Sequence, residues 1–419
     1  MSRLSPFLRR AALPLLLTAA VVAAWAQDTL RPAIATPALA AQQLLAAGQF
    51  RQALAKVAEA EAVADRTPFE NFVLDQLRGG AAAGAGDNEV AVRSFEAALR
   101  SGRLSAADSL PIIEGLVGTS VRLKDHSRTI EWGRRYVKEG GSKPQIRRAL
   151  ANALAQSGDT AGAVTELQAL IAADEQAGRK PGEDLLRLLG ASQLKLADNA
   201  GHLQTLERLL RHHPKPAYWR DRISALQSQP SFDSVLLVDS YRLLRAAGAL
   251  EEGAEFVSIG ELALLAGLPG EAQAVVDAGF AAGKLGAGAD AAKHQNLRER
   301  AARAAAADAR QLPAVPAPPA SADGRSLVSL GLAYATSGRA DAGIALLEQG
   351  IAKGGLPPRD LALARLRLAW LLATSATAER TAQAKPLFAD LQTANGGLSG
   401  LGDLARLWLL HLDRPVAPR

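Results

Sequence analysis

The sequence predicts an all-α protein, built as a superhelical solenoid of stacked antiparallel helix hairpins. One pattern recurs along the chain: an apolar helical run, a polar turn that holds a glycine, and a second amphipathic run. Small residues also recur at fixed distances from each turn. The clearest copies of the pattern are residues 41–62, 79–99, 116–137, 149–170, 259–280 and 330–351.

The turn of each copy is the most regular feature. A tight turn between two antiparallel helices ends the first helix in a left-handed residue, which glycine adopts without steric cost. Lys124 occupies this position in the third copy. The other turns are expected at Gly48, Gly86, Gly158, Gly267 and Gly338.

Small residues mark the point where the two helices of a copy cross. Seven residues before the turn, the first helix carries glycine in three copies, at Gly79, Gly260 and Gly331, and alanine in others. A large side chain here would push the helices apart, so we expect close contacts. The paired positions, five residues after the turn, are Ala53, Ala91, Thr129, Ala163, Ala272 and Gly343.

Weaker copies fill the rest of the chain. In residues 188–210, Gly190 takes the first-helix position, but His202 stands where a small residue is expected. We expect the repeat to slip by one residue there, which would make Gly201 the contact residue. Further helices are predicted within residues 211–250, 289–310, 361–392 and 399–412.

This layout resembles the tetratricopeptide repeat (TPR) family, whose motif of about 34 residues has small residues on both helices and a glycine-rich turn. The resemblance covers most of residues 38–412, and Tyr334 fits an aromatic position of the family. The large aromatic residue that the family carries early in its first helix is mostly missing. The chain is also similar to a group of exported proteobacterial TPR proteins. The resemblance therefore implies a fold and a compartment, but no reaction.

Composition divides the chain into four parts. Residues 1–26 are predicted to be a signal peptide and residues 27–311 an N-terminal TPR-like solenoid. Residues 312–324 form a linker rich in proline and alanine, and residues 325–419 a C-terminal TPR-like solenoid with a capping helix. The prolines make the linker extended and semi-rigid. The alternative is that residues 312–324 are one long loop inside a continuous superhelix.

The first 26 residues have the three-part pattern of a secretory signal peptide. Three arginines in residues 1–10 precede an apolar run, residues 11–26, that ends in Ala-Trp-Ala. We expect cleavage after Ala26 and a periplasmic or otherwise exported protein. An uncleaved N-terminal anchor is the alternative. No later run is long and apolar enough for a membrane span, so the mature chain is predicted to have no transmembrane segment. Peripheral association with a membrane stays open.

Charge and composition exclude several classes of protein. Three of the 48 Lys and Arg residues lie in the signal peptide and all 42 acidic residues follow it, which leaves the mature chain a formal net charge of +3. That balance gives no reason to expect nucleic acid as a partner. The chain has no cysteine, which excludes disulfides, thiolate metal sites and cysteine nucleophiles.

Motifs that carry chemistry are absent. The six histidines form no H-E-x-x-H pattern, and there is no G-x-S-x-G. Ser192 and Lys195 match S-x-x-K, but the S-D-N and K-T-G that accompany it in acyl-transfer enzymes are missing. We therefore predict a non-catalytic protein with no metal and no cofactor.

One candidate binding site lies on the first helices of the fourth hairpin and the next. The TPR resemblance implies that peptides lie along first helices, and that one subclass grips a C-terminal carboxylate with a cation and an asparagine one turn apart. Arg148 and Asn152 match the first pair of that clamp. The next hairpin has Leu188, beside Arg187, where the subclass has asparagine. Ordinary exposed polar residues are the alternative.

A second candidate is the basic stretch around Arg211, Trp219 and Arg220. Cations interleaved with aromatic rings indicate an anionic partner or a lipid headgroup. The alternative is a solvated turn between helices, with Trp219 packed in the core. The other bases of the stretch are Arg208, His212, His213, Lys215 and Arg222.

Together these features predict an exported TPR-like scaffold or adaptor that binds proteins or peptides in the bacterial cell envelope. The leading alternative is a structural subunit of an envelope machine, such as a secretion, pilus or polysaccharide-export apparatus. An enzyme or a binder of small ligands is the third possibility.

Overall fold

The computed structural model describes residues 29–414, except for residues 315, 317, 376 and 395. Over these residues the only regular elements are helices, which confirms the predicted all-α class. No helix in this range combines the length and the apolar character needed to cross a membrane. The predicted signal peptide, residues 1–26, lies outside the described residues.

Twenty α-helices follow one another along the described chain, most of them in pairs joined by short turns. The first ten are α1 (Pro32–Ala46), α2 (Phe50–Glu61), α3 (Pro68–Ala85), α4 (Asn88–Arg100), α5 (Ala106–Leu123), α6 (His126–Lys138), α7 (Pro144–Ser157), α8 (Thr160–Gln176), α9 (Glu183–Lys195) and α10 (Asn199–His212). The last ten are α11 (Pro216–Gln227), α12 (Leu237–Ala246), α13 (Gly253–Leu265), α14 (Pro269–Ala281), α15 (Ala291–Gln311), α16 (Gly324–Thr336), α17 (Ala340–Lys353), α18 (Pro358–Ala373), α19 (Ala378–Thr393) and α20 (Leu401–Leu412).

The turns of the hairpins have the backbone that the glycine pattern predicts. Gly48, Gly86, Gly158, Gly267 and Gly338 all have φ between +70° and +88°. Lys124 adopts the same left-handed conformation, with φ of 58°. In several hairpins a side chain then caps the amino-terminal end of the next helix. The carboxylate of Asp125 accepts a hydrogen bond from the backbone N–H of Arg128 at 3.0 Å, which satisfies one of the free donors of α6.

The chain divides into two compact units, one up to His202 and one from Leu203 onward. Residues 312–324 lie inside the second unit, so the compact units do not divide at the proline-rich segment. The start of this segment, at Pro313, is held against α16 and the start of α17. Its Pro313 carbonyl oxygen accepts hydrogen bonds from the hydroxyl of Tyr334 at 2.8 Å and from the guanidinium of Arg339 at 2.6 Å.

The first unit stacks its hairpins in chain order. Helices α2, α4, α6 and α8 each pack against the first helix of their own hairpin and against the first helix of the next. First helices of neighbouring hairpins also touch one another directly, α1 with α3, α3 with α5, and α5 with α7. The first helices α1, α3, α5 and α7 therefore form one continuous layer, and α9 meets α7 through the ion pair of Arg148 and Asp184.

The paired small residues lie where the sequence puts them. Gly331 and Gly343 form a close crossing between α16 and α17. A Cβ added at Gly343 would lie 2.5 Å from the carbonyl oxygen of Gly331 and 2.6 Å from the Cβ of Ala335. Because backbone atoms form part of this contact, no rotation of a side chain can relieve it. The corresponding alanines of other hairpins, such as Ala53 and Ala163, are fully buried.

We expect Gly343→Ala to destabilise the protein by about 1–3 kcal/mol, because the added methyl group forces α16 and α17 apart. Gly118→Ala is the matched control. Gly118 also lies inside a helix, but the nearest atom to an added Cβ is the tip of Arg122 at 3.8 Å. That variant should gain roughly 0.5–1 kcal/mol from helix propensity. Urea unfolding measures the free energy of unfolding of both variants. If both substitutions changed it by the same amount in the same direction, the close contact between α16 and α17 would be contradicted.

The expected slip of the repeat at His202 is wrong. Ala197 takes the left-handed turn position of the fifth hairpin, with φ of 56°. Five residues later comes His202 itself, and its Nδ1 lies 3.2 Å from the carbonyl oxygen of Gly190. The register is therefore kept, because Gly190 has no side chain and leaves room for the imidazole ring.

The second unit folds back on itself. Its last helix, α20, packs beside α11, and the ring of Trp219 meets His411 edge-on at 5.8 Å. Trp408 of α20 stacks on Phe388 of α19 at 5.4 Å. Buried Arg222 of α11 donates to Asp403 of α20 at 3.1 Å. The closing helix thus covers the helices that begin this unit.

A buried ionic network joins three helices of the second unit. Arg242 of α12 donates to both carboxylate oxygens of Glu271 on α14, at 2.8 and 2.5 Å, and to Asp239 at 2.5 Å. Arg367 of α18 lies 3.5 Å from Asp239, and the ring of Trp370 on α18 lies 3.9 Å from the guanidinium of Arg242. Each charge of Arg242 and its two acids is therefore compensated inside the core.

His411 makes the closure of the second unit sensitive to acid. Burial, with a smaller effect of nearby Arg414, lowers the pKa of His411 to about 4. The folded state therefore holds this histidine neutral. Its stabilising contribution is complete above the unfolded pKa of about 6.5 and is lost as the pH falls from there to about 4.

We expect acidification from pH 7 to pH 4 to cost the native protein up to about 3 kcal/mol through this single group. The test compares urea unfolding of the native protein and of His411→Phe at both pH values. Phenylalanine keeps an aromatic ring at this position but cannot take up a proton. The variant should lose less stability on acidification, and identical losses would contradict the role of His411.

Candidate functional site

The basic stretch of the second unit is largely structural. Arg222 is fully buried, and its guanidinium donates to Glu207 at 2.9 Å as well as to Asp403. Arg220 forms an ion pair with Glu251. Arg211 is exposed near the end of α10.

Trp219 does not belong to a binding surface. Its side chain has no exposed area and lies among the core residues of the second unit. Arg414 follows α20, and its guanidinium lies 6.0 Å from the centre of the Trp219 ring. Proposing Trp219 as a contact for an outside partner was therefore a wrong prediction, and the alternative of a core residue is correct. The aromatic spacing alone carried no information on which surface the ring faces.

The candidate residues of the first unit are exposed. Arg148 and Asn152 lie one turn apart on α7, and Arg187 lies on α9. The guanidinium of Arg148 reaches Asp184 at the start of α9, at 3.3 Å, so the two helices are neighbours in the layer of first helices. Leu188, which interrupts the clamp pattern, is half-buried.

Arg148 and Arg187 occupy the same place in the repeat. The first-helix contact position, seven residues before the turn, falls at Val117 in α5, Ala151 in α7 and Gly190 in α9. Arg148 and Arg187 each come three residues before it. Residues three before, one after, and four or five after this position share one face of a helix. This register defines one surface across three helices.

Register positions four and five after the contact carry residues that the sequence analysis missed. Val121 of α5 and Leu194 of α9 are 47% and 52% exposed, which is unusual for large apolar side chains in this fold. Arg122 and Lys195 come next to them and are also exposed. Aligning the copies on the turn residue places each pair in equivalent positions, so the signal was present in the sequence.

The middle of this surface is made of small residues. One position after the contact, α5 has Gly118 and α9 has Ala191, with Asn152 between them on α7. Around Gly118, only the tip of Arg122 comes within 4 Å of an added Cβ. The surface therefore has a low floor between its larger side chains. We call it the first-helix face and define it by Gly118, Val121, Arg122, Arg148, Asn152, Arg187, Ala191, Leu194 and Lys195.

Positive charge dominates the first-helix face. Within the described chain, neither Arg187 nor Lys195 has an ion-pair partner, and Arg122 donates only to the side-chain oxygen of Asn88, at 2.7 Å. Asp184 is the one acid that meets these bases, through its pair with Arg148.

Glu114 is the remaining acid at an equivalent position, three residues before the contact in α5. It is engaged elsewhere: its carboxylate accepts from Lys143 at 2.6 Å and from the hydroxyl of Tyr136 at 3.1 Å. Its side chain is only 9% exposed. The face therefore keeps an excess of cationic groups, which favours an anionic partner.

The described residues show no group of three or more histidines, aspartates and glutamates arranged to hold a metal ion. Ser192 of the S-x-x-K pattern is buried at 3% exposure, while Lys195 is exposed. The sequence matches no protein-family model and no curated protein. The TPR resemblance stays a prediction.

Proposed function

We propose that this protein is an exported, non-catalytic scaffold of the bacterial cell envelope that binds other proteins through the first-helix face. The observation that carries the proposal is the exposure of Val121 and Leu194 at equivalent positions of α5 and α9. Helices of the second unit place Leu264 and Ala335 at this position, and both are half-buried against neighbouring cores, although Leu265, the next residue of α13, is 85% exposed. Exposed apolar side chains beside unpaired polar groups are typical of protein-binding surfaces.

The first described helix begins after the predicted cleavage site. Helix α1 begins at Pro32, after the predicted cleavage at Ala26. Arg31 stands just before it and is tied to buried Glu70 on α3, with Nε 2.8 Å from a carboxylate oxygen. Removal of residues 1–26 would therefore leave every described helix and this anchoring pair intact.

Binding through such a face needs few strong contacts. A small number of anchor side chains usually supplies most of the affinity of an interface, and the surrounding polar residues supply specificity. Val121 and Leu194 fit the role of anchors because their apolar area is already exposed in the free protein. Arg148, Asn152 and Arg187 fit the role of polar neighbours.

Affinity purification of the mature protein from a crosslinked envelope, in mild detergent, tests the proposed function. The protein is compared with the double variant Val121→Asp and Leu194→Asp, and with the control Leu196→Asp. Leu196 is 45% exposed, but lies just past the end of α9 and outside the face. We expect proteins that are recovered in fixed proportion with the native protein and the control, and are lost with the double variant. Equal recovery with all three would contradict the proposal.

A further inference from the structure

We propose that the partner segment which the first-helix face recognises is an extended, acidic stretch of polypeptide in which apolar residues alternate with Asp or Glu. This inference rests on the proposed function and specifies its partner. Three features carry it: an apolar strip, cations on both sides of that strip, and a lack of competing acids.

The apolar strip runs across the three helices. Val121 and Leu194 stand at the same register on α5 and α9, and Ala155 takes that place on α7 between them. The floor beside them is formed by Gly118 and Ala191. A chain that crosses the first helices therefore meets apolar groups at each step, on a surface low enough for its backbone to approach.

Cations flank the strip on both sides. Arg148 and Arg187 form one row, three residues before the contact position, and Arg122 and Lys195 form the other, five residues after it. Eight residues of helix span about 12 Å. An extended strand with its side chains fits between rows at this distance. Acidic side chains on the side opposite the strip reach the row of Arg148 and Arg187.

The dimensions also set the length of the segment. Packed helices lie about 8–10 Å apart, so the distance from α5 to α9 is about 16–20 Å. An extended chain advances about 3.3 Å per residue, which corresponds to about five or six residues. Successive side chains of an extended chain point to opposite sides. Apolar side chains on one side of the segment therefore face the strip, and the acidic side chains that alternate with them point to the other side, toward the row of Arg148 and Arg187.

A free carboxyl terminus is not required by this arrangement. Leu188 stands where the carboxylate clamp of the TPR subclass has an asparagine, so that clamp is incomplete here. The unpaired cations are instead spread over two helices, at Arg187, Lys195 and Arg122. Distributed cations match side-chain carboxylates along a segment better than one terminal group.

Fluorescence anisotropy with defined peptides tests the inference on the full mature protein. The probe is a labelled seven-residue peptide that alternates Leu and Asp, with its amino terminus acetylated and its carboxyl terminus amidated. A second probe replaces each Asp by Lys. We expect saturable binding of the acidic probe, at least tenfold weaker binding of the basic probe, and weaker binding of the acidic probe at higher salt.

Matched variants locate the site. Arg148→Glu combined with Arg187→Glu should weaken binding of the acidic probe at least tenfold. Arg93→Glu should change it by less than twofold, because Arg93 is also exposed but lies on the second helix α4. Leu194→Ser should weaken binding several-fold, whereas Leu196→Ser should not.

Three results would overturn the inference: no saturable binding, equal binding of the two probes, or binding only when the acidic peptide has a free carboxyl terminus. The last result would favour a carboxylate clamp. None of them would affect the proposed function, which depends on partners recovered from the envelope. Conversely, the protein could bind the probe and yet recover the same envelope partners when Val121 and Leu194 are changed. That result would contradict the proposed function alone.

Discussion

Arg242→Ala is expected to destabilise the second unit by about 3–5 kcal/mol, one of the largest effects of any single substitution in this protein. The side chain of Arg242 is 2% exposed and compensates two carboxylates, those of Asp239 and Glu271, that are also buried. Burial by itself lowers the pKa of Arg242, but the attraction of Glu271 and then of Asp239 outweighs it and raises that pKa. Removing the cation leaves two buried negative charges with only the guanidinium of Arg367, 3.5 Å from Asp239, to compensate them.

The substitution removes both the ion pairs of Arg242 and its packing contacts. Arg242 also lies against the ring of Trp370 on α18, at 3.9 Å, so its removal leaves a gap between α12 and α18. Urea unfolding followed by tryptophan fluorescence measures the effect, because three tryptophans, at 219, 370 and 408, lie in the second unit.

Arg245→Ala is the matched control. Arg245 follows Arg242 by one turn of α12 and is exposed. Its removal should change stability by no more than about 0.5 kcal/mol. If the two variants unfold at the same urea concentration, the network does not hold α12, α14 and α18 together.

Trp219→Ala is expected to cost about 3–5 kcal/mol, because a large aromatic side chain with no exposed area is removed from the core of the second unit. The contact that is lost lies between α11 and α20, where Trp219 meets His411. Hydrogen exchange should therefore become faster in α20 as well as in α11. The effect reaches the far end of the chain because these two helices close the unit.

Trp219→Phe is the control for this substitution. It keeps most of the apolar volume and removes an indole N–H that has no hydrogen-bond partner in the described structure. The cost should stay below about 1.5 kcal/mol. A Trp219→Ala protein of native stability would contradict the burial of this residue and would restore it as a surface contact.

The helices and their crossings follow directly from local sequence. Lys124 illustrates this, because the repeat assigns a left-handed turn to a residue that rarely adopts one, and its φ is 58°. Gly331 and Gly343 likewise lie in contact as their register requires. Such features depend on a few neighbouring residues. The repeat presents them several times, so the clear copies show how the less clear copies should be aligned.

The closure of the second unit could not be predicted from the same pattern. Arg222 and Asp403 are separated by 181 residues, and nothing in the repeat says which distant helix an end helix will meet. The basic stretch near Arg222 was ambiguous for this reason. A buried arginine that pairs with a distant aspartate looks the same in sequence as an exposed arginine that awaits a partner.

The candidate site was predicted in part. Arg148, Asn152 and Arg187 are exposed on the layer of first helices, as the register suggests. Val121 and Leu194 were missed because an apolar residue in an amphipathic helix is ordinarily assigned to the core. Their exposure depends on what packs above them, which is a tertiary property.

Site-specific photo-crosslinking tests the central claim most directly. A photoreactive amino acid is placed at position 194 on the first-helix face, or at position 93 on the outer helix α4, and the full chain is expressed so that the mature protein can reach the envelope. Irradiation should yield discrete crosslinks to partner proteins from position 194 and none of these from position 93. Equal crosslinking from both positions, or crosslinks from position 93 alone, would show that the first-helix face is not where partners bind.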